Sequence, residues 1–422
     1  MARETFEVLE SPSHAARIKV IGVGGAGGNA VEHMISRSVV GVKYYCANTD
    51  AQALGLLSVE NKIQLGSKIT RGLGAGADPD VGKAAALEDR QVIQETLQDC
   101  DMVFIAAGMG GGTGTGAAPV IAESAREMGI LTVAIVNRPF PFEQRKRITV
   151  AEKGVAELAE HVDSLIIVPN AKLLEVLPPD TTIVNAFAAA NDVLLDAVKG
   201  ISDIITKPGH INVDFADVKT VMSKRGMAMM GTGIASRDDP NPGAAAARAA
   251  ISSPLLENVD ISSAGGLLVN VSGGQHLTLN DLQAVHRVAE EACQLDRDML
   301  ISGMVVEPEL GDKVQVTFVA TGLRGKAFHV VGEEAEEAEE APPGRGAGQQ
   351  FTPRRPMRAN TNGSGAGRRA AAAAQKPAGR GQPPAREGAS AEPAAATEQP
   401  ELKKAANIDF LDIPAFLRKN VD

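Results

Sequence analysis

The chain has 422 residues, enough for more than one domain and a sizeable core, and 44% of them are hydrophobic. Aromatic residues make up only 3% and tryptophan is absent, so the core must be built mainly from Ala, Val, Ile and Leu. A formal net charge of -10 argues against a generic nucleic-acid binder, because a polyanion favours a basic surface. The three cysteines, Cys46, Cys100 and Cys293, are far apart, which excludes a disulfide framework or a Cys-rich zinc site and fits a reducing cytoplasm.

Residues 1–14 are charged and lack an apolar stretch, which predicts a flexible N-terminus rather than a secretory signal. No apolar run reaches the roughly 18 residues that a membrane span needs, so no direct membrane insertion is expected. From 15 to 180, short apolar runs at 18–23, 42–47, 102–107, 131–136 and 164–168 alternate with helical patterns such as 117–127 and 147–161. Near-continuous apolar strands separated by helices predict a doubly wound α/β domain with a parallel sheet. Residues 181–206 read as one long central helix, stopped by Lys207, Pro208 and Gly209. Residues 207–331, with strand candidates at 227–236, 267–272, 300–306, 314–321 and 327–331, predict a smaller C-terminal α+β domain. From 332 to 406 the chain is acidic and then rich in Ala, Gly, Pro, Gln and Arg; too few large apolar residues remain to offset the entropy of ordering, which predicts a disordered linker. Apolar residues return within 407–422, among them Phe410, Leu411, Ile413, Phe416 and Leu417, and this island reads as a docking peptide.

The residues that carry chemistry begin where the first strand meets Gly22-Val23-Gly24-Gly25-Ala26-Gly27-Gly28-Asn29. A strand opening through glycines into a helix lets backbone N–H groups approach a phosphate, and the helix N-terminus adds favourable partial charge. With Asp50 at the end of the second strand, this segment alone also fits a NAD-dependent oxidoreductase, or a tight turn with no ligand. A second cluster, Gly108-Met109-Gly110-Gly111-Gly112-Thr113-Gly114-Thr115-Gly116, again lies between a strand and a helix. Two glycine segments at strand C-termini can hold two parts of one polyphosphate, whereas a dehydrogenase needs only the first.

The segment Gly110 to Gly116, followed by Ala117, Ala118 and Pro119, resembles the signature of the tubulin/FtsZ GTPase superfamily. Asn48 to Gln52, Gly72 to Ala77, Pro139 to Glu143 and Ile413 to Arg418 resemble the bacterial FtsZ family within it. The resemblance covers about Arg17 to Val331 and the terminal peptide, but not the linker. It implies a GTP/GDP-binding GTPase of bacterial cell division, with Mg2+ arriving with the nucleotide and with head-to-tail self-assembly into filaments. It also implies a place at the division site under the inner membrane, reached through membrane-tethering division proteins and regulators that bind residues 408–419.

Site roles follow from the same resemblance. Gly25, Ala26, Gly27, Gly28, Asn29, Gly112, Thr113 and Gly114 would hold phosphates. Glu143 and Arg147, expected one turn apart on a helix, would reach the ribose; the alternative is a surface ion pair. Phe187 and Asn191 would stack on and read guanine; the alternative is a core ring beside a solvated amide. Asn212, Asp214 and Asp217 would position the attacking water, although Asp214 and Asp217 also fit a helix cap. A helix of about 25 residues spans roughly 37 Å, so these acids are not expected to reach the nucleotide of their own chain, and the resemblance implies that they serve that of the next subunit. A nucleotide-binding scaffold without turnover remains a further reading, against which the paired acids argue.

Overall fold

A computed structural model describes residues 16–207, 213–224, 226–256, 261–293 and 299–323. Residues 1–14, Asn212, the strand expected at 327–331, the linker at 332–406 and the peptide at 407–422 lie outside them. Among the described residues the strands are β1 Ile18–Val23, β2 Val42–Asn48, β3 Asn61–Gln64, β4 Met102–Gly108, β5 Leu131–Arg138, β6 Ser164–Pro169, β7 Met227–Ser236, β8 Gly266–Gly273, β9 Leu300–Val306 and β10 Lys313–Leu323. The helices are α1 Gly24–Ser36, α2 Ala51–Gly55, α3 Ser67–Thr70, α4 Pro79–Glu88, α5 Arg90–Leu97, α6 Thr113–Glu127, α7 Arg145–His161, α8 Asn170–Val176, α9 Ile183–Thr206, α10 Phe215–Met222, α11 Pro242–Ile251 and α12 Leu279–Ala292.

All ten strands join one sheet in the order β3-β2-β1-β4-β5-β6-β7-β10-β8-β9. The first six are parallel, and the chain order reverses between β1 and β4. That is the doubly wound arrangement expected from the apolar runs. In β4, Met102 and Phe104 feed one core while Val103, Ile105 and Ala107 feed the core on the opposite face. Both faces of the strand are therefore buried, which explains why the sequence runs apolar without alternation. The C-terminal half is the smaller mixed α/β part: β10 is antiparallel to β7 and β8, and β8 is parallel to β9. Pairing of β6 with β7 at Leu165–Met227 and Ile166–Ala228 carries the sheet across from one half to the other.

Helix α9 begins at Ile183, later than 181, because Thr182 stands outside it and its side chain accepts a hydrogen bond from the Asn185 N–H. Its buried stripe, Ala186, Ala190, Leu194, Ala197, Val198, Ile201 and Ile204, follows helical spacing and faces the sheet. The first half lies beside α1, where His33 Nε2 meets Asp192 Oδ1 at 2.7 Å. The second half lies on the C-terminal strands: a Cβ on Gly200 would come within 3.1 Å of Thr317, and one on Gly303 within 2.9 Å of Ile204. One helix thus spans both halves.

On α9, burial and the neighbouring Asp192 push the Asp196 carboxyl up to about 6, against the pull of Lys199, Arg37 and His33. A folded-state value above the unfolded one means that this group favours folding at low pH and that the contribution is lost as pH rises from about 4 through 6. Asp196→Asn is therefore expected to stabilise the fold at pH 7.5, by at most about 3 kcal/mol, with the gain shrinking as pH falls towards 4. Chemical denaturation at several pH values checks this; a destabilised variant at pH 7.5 would contradict it.

Candidate functional site

Strand β1 runs directly into α1, with Gly24 turning the chain at a φ of 73°. Gly25, Ala26, Gly27, Gly28 and Asn29 therefore lie in the opening turns of a helix and not in a loop. The second cluster behaves alike: α6 starts at Thr113, four residues earlier than expected, and only Met109 to Gly112 remain as a turn. The opening N–H groups of a helix have no partner within it. In both helices the first turn holds no acidic residue and the N-cap provides no side-chain hydrogen bond. These two ends are left for an anion from elsewhere.

The glycines bring the two ends together. A Cβ on Gly24 would meet Gly114 N at 2.8 Å, one on Gly108 would meet Ala26 Cβ at 2.5 Å, and one on Gly114 would meet Gly108 O at 2.6 Å. Gly22 and Gly27 have a different part. A Cβ on Gly22 would meet Gly27 O at 2.3 Å, and one on Gly27 would meet Ala106 O at 2.3 Å. They let α1 sink onto β1 and β4. Gly28 packs against Leu57.

Thr113 has a partner that sequence reasoning missed. Its hydroxyl lies 2.6 Å from that of Thr49, which is fully buried at the end of β2. Asp50 caps α2, accepting from Ala53 N–H at 3.0 Å, and bridges to Leu73. The segment from Gly72 to Ala77, with positive φ at Gly72, Gly74, Gly76 and Ala77, closes over the second turn: a Cβ on Gly112 would meet Ala75 Cβ at 2.8 Å. The signal for this contact was the glycine spacing, which predicts tight turns but not what they touch.

Glu143 is not on a helix. A turn in which Glu143 N–H donates to Phe140 O at 3.0 Å precedes α7, and that helix opens only at Arg145. Glu143 nevertheless reaches Arg147: Oε2 lies 2.9 Å from Arg147 Nη1, while Oε1 accepts from Phe140 N–H at 2.9 Å. The pair is partly enclosed, with the Glu143 side chain 8% exposed and that of Arg147 34%. The main chain of Arg147 touches the second glycine turn, since a Cβ on Gly110 would meet Arg147 O at 2.5 Å. Phe187 packs edge-on against the buried ring of Phe140, with centroids 5.1 Å apart, so α9 is tied to the turn that carries Glu143. Asn191 follows one helical turn later, partly exposed, next to the Asp192 that meets His33 of α1. Phe140, the ring on which Phe187 rests, lies in the segment Pro139 to Glu143 that carries the family resemblance, but nothing in its spacing signals a contact with α9.

Asp214 and Asp217 are not brought to this place. Both are exposed, and Asp214 stands at the N-cap of α10 without a side-chain capping bond, so the expected capping arrangement is not formed. Two contacts locate their end of the molecule. A Cβ on Gly41, just before β2, would come within 2.7 Å of Thr206, and Ser164, the first residue of β6, donates from its hydroxyl to Met222 O at 2.6 Å. The end of α9 and the end of α10 therefore sit at the edge where the parallel strands begin. The glycine turns sit where they end, about 20 Å away along a six-residue strand.

An open parallel sheet with two bare helix N-termini at the reversal of strand order defines a nucleotide-binding site of the doubly wound class. Residues 17–178 match the Tubulin/FtsZ family, GTPase domain, and residues 226–324 match the FtsZ family, C-terminal domain. The chain is 50% identical to the cell division protein FtsZ of Azotobacter vinelandii, over 99% of this chain and 100% of that one. It is 55% identical to that of Coxiella burnetii over 76% of this chain and 83% of that one. Among solved structures, the empty FtsZ dimer of M. jannaschii superposes with a TM-score of 0.69 at 43% identity, covering 73% of this chain and 89% of that one. The chain belongs to the tubulin/FtsZ family, on its FtsZ branch. It is a tubulin-like GTPase of cell division that binds GTP and GDP. No helix among the described residues is long and apolar enough to cross a membrane.

The glycine contacts make a direct prediction. Gly114→Ala would push a methyl group against the backbone at Gly108 and Val23, and is expected to weaken GTP binding by more than about tenfold, or about 1.4 kcal/mol. Gly111→Ala, which faces open space, serves as the control and should bind normally. Equilibrium binding of a fluorescent GTP analogue measures both; equal affinities would show that the apposition of the two helix ends is not what holds the nucleotide.

Proposed function

We propose that the protein polymerises head to tail and hydrolyses GTP at the interface between subunits. The observation that carries this reading is the separation of the two halves of the chemistry. The exposed acids Asp214 and Asp217 belong to the strand-start edge, whereas the glycine turns belong to the strand-end edge. Two surfaces at opposite edges of one sheet suit a heterologous contact that repeats without closing, and such a contact yields a filament. The solved FtsZ dimer of M. jannaschii supports self-association in the family.

In this reading the N–H groups opening α1 and α6, at Gly25 to Asn29 and Gly112 to Gly114, receive the phosphates, with the Thr113 hydroxyl as a further donor held by Thr49. Glu143 and Arg147 hold the ribose, Phe187 stacks on the base, and Asn191 pairs with the guanine edge. The next subunit contributes Asp214 and Asp217, with Asn212 beside them in sequence, to orient the attacking water. Catalysis of phosphoryl transfer is mostly such positioning and charge neutralisation. Among the described residues no three His, Cys, Asp or Glu side chains gather as a metal cage, and the hydroxyls of Thr49, Thr113 and Thr115 lie near the turns. That donor set fits Mg2+ held chiefly by the nucleotide's own oxygens and by water, where it would neutralise phosphate charge.

The division of labour along the chain is nucleotide binding by 15–180, connection by the helix at 181–206 and water positioning from 207–331. Filaments of this protein would form the cytokinetic ring at the division site under the inner membrane. The apolar residues at 407–422 support docking to membrane-tethering proteins, at the end of the tether formed by 332–406. Deleting residues 408–422 should spare GTP hydrolysis and assembly but abolish recruitment to the membrane; loss of hydrolysis in that truncation would sink the docking reading.

Asp214→Ala tests the shared site. It should bind GTP almost normally as a dilute monomer, because no glycine turn is touched, and ATP should fail to compete at similar concentration. Hydrolysis should fall at least about a hundredfold, with filaments that persist after GTP addition. Isothermal titration, phosphate release and sedimentation report the three quantities. Loss of GTP affinity by the dilute variant would assign the acid to its own chain's nucleotide and overturn the proposal.

A further inference from the structure

The last turns of α9 carry an ionic cluster that nucleotide binding does not use. Glu307, just after β9, takes Lys199 Nζ on Oε2 at 2.8 Å and Lys207 Nζ on Oε1 at 2.7 Å. Lys207 Nζ also meets Asp203 Oδ2 at 2.8 Å. The cluster is largely enclosed: the side chain of Asp203 is 2% exposed and that of Glu307 11%. Asp203 Oδ1 is buried with no hydrogen-bond partner. Burial pushes the Asp203 carboxyl up to about 6 despite Lys207, with Glu307 beside it adding to the rise. Burial also opposes ionisation of Glu307, but the hydrogen bonds from Lys199 and Lys207 outweigh it and bring its carboxyl down to about 2. Burial, and after it the charge of Asp203, pushes the nearby Tyr44 phenol up to about 12.

Such a cluster is poorly explained by stability, because removing charged groups from water offsets most of their attraction, and apolar replacements are often neutral. Its position is more telling. Lys207 is the residue at which the chain leaves α9, in an extended conformation, seven residues before Asp214. Glu307 is fixed independently, its N–H donating to Gly273 O of β8 at 2.8 Å. Beyond the acids, α10 is held by Ser164, which donates to Met222 O, and by Thr321, which donates to Val221 O at 2.8 Å. Fixed points thus flank the two acids in the chain: Lys207 seven residues before Asp214, and the end of α10 after Asp217.

The geometry points to Lys207, gripped by Asp203 and Glu307, as a positioning residue for GTP hydrolysis that sets where Asp214 and Asp217 stand against the neighbouring subunit's nucleotide. This rests on the shared-site reading above. Since neither lysine nor its acids approach the glycine turns, their loss should leave nucleotide affinity intact and act on turnover alone.

The test uses the full chain, with Lys207→Met, Glu307→Gln and Lys207→Arg. Measured are GTP affinity of the dilute protein, sedimented polymer, and phosphate release per sedimented subunit at saturating GTP. Lys207→Met and Glu307→Gln should bind GTP normally yet turn over about 10- to 100-fold more slowly, as expected for displaced catalytic groups. Lys207→Arg, which keeps a cation able to reach two carboxylates, should recover most of the rate. Should the single variants fold poorly, a triple apolar replacement, Asp203→Leu with Lys207→Met and Glu307→Leu, keeps the core filled and should still be slow. Placed in a background that carries both Asp214→Ala and Asp217→Ala, Lys207→Met should add no further loss. Unchanged turnover per sedimented subunit in Lys207→Met, or in the triple variant, overturns the positioning part. An additive loss in the background lacking both acids does so too. Full activity of Asp214→Ala alone would instead refute the shared site itself.

Discussion

The meeting of two helix N-termini at the reversal of strand order is the constraint on which the rest of the site depends. It requires close approach at glycine: Gly24 lies against the backbone of Gly114, Gly114 against that of Gly108, and Gly108 against the Ala26 methyl group. Side chains at these positions would hold α1 and α6 apart, and the unpaired N–H groups of the two helices would no longer converge. Once they do, the neighbouring pieces are placed by ordinary packing. Thr49 orients Thr113, Ala75 backs Gly112, and the main chain of Arg147 lies on Gly110. The aromatic contact between Phe140 and Phe187 then brings the start of α9 to the same edge.

That same helix separates the chemistry. Twenty-four residues of α-helix cover about 36 Å, and α9 spends this length crossing the sheet from the nucleotide edge to the edge where the strands start. A helix packed along its whole length by Ala190, Leu194, Ala197, Ile201 and Ile204 has no freedom to fold back. The acids that follow it face solvent in a single subunit, without hydrogen-bonded use in a cap. A single subunit therefore holds two helix N-termini at one edge and an exposed pair of acids at the other, and in the proposed filament assembly would unite them.

Much of this could be read from the sequence because it is local. The apolar runs at 18–23 and 102–107 are buried on both faces, so they lack alternation and announce a parallel sheet. The glycine clusters sit at the strand ends, where chain direction changes within a few residues. What the sequence concealed depends on distant partners. Gly22 and Gly27 also carry a packing role that only the fold makes visible, Gly22 lying against Gly27 and Gly27 against Ala106. Glu143 was expected on a helix because of its spacing from Arg147; Pro141 and a turn at Phe140 hold it outside. Thr49 and the Lys207–Glu307 bridge join residues 64 and 100 positions apart, and no periodicity encodes such pairs.

Mixing two defective proteins measures the division of the active site most directly. Thr113→Ala keeps its acids but is damaged at the nucleotide end; Asp214→Ala keeps its nucleotide end but lacks the acid. In a mixed filament, an interface that joins the intact nucleotide end of one to the intact acids of the other is complete. If the site is shared, phosphate release by the mixture exceeds the sum of the two proteins measured alone and peaks near equal proportions. If both variants sediment together yet release no more phosphate than that sum, each subunit hydrolyses its own nucleotide and the account is wrong.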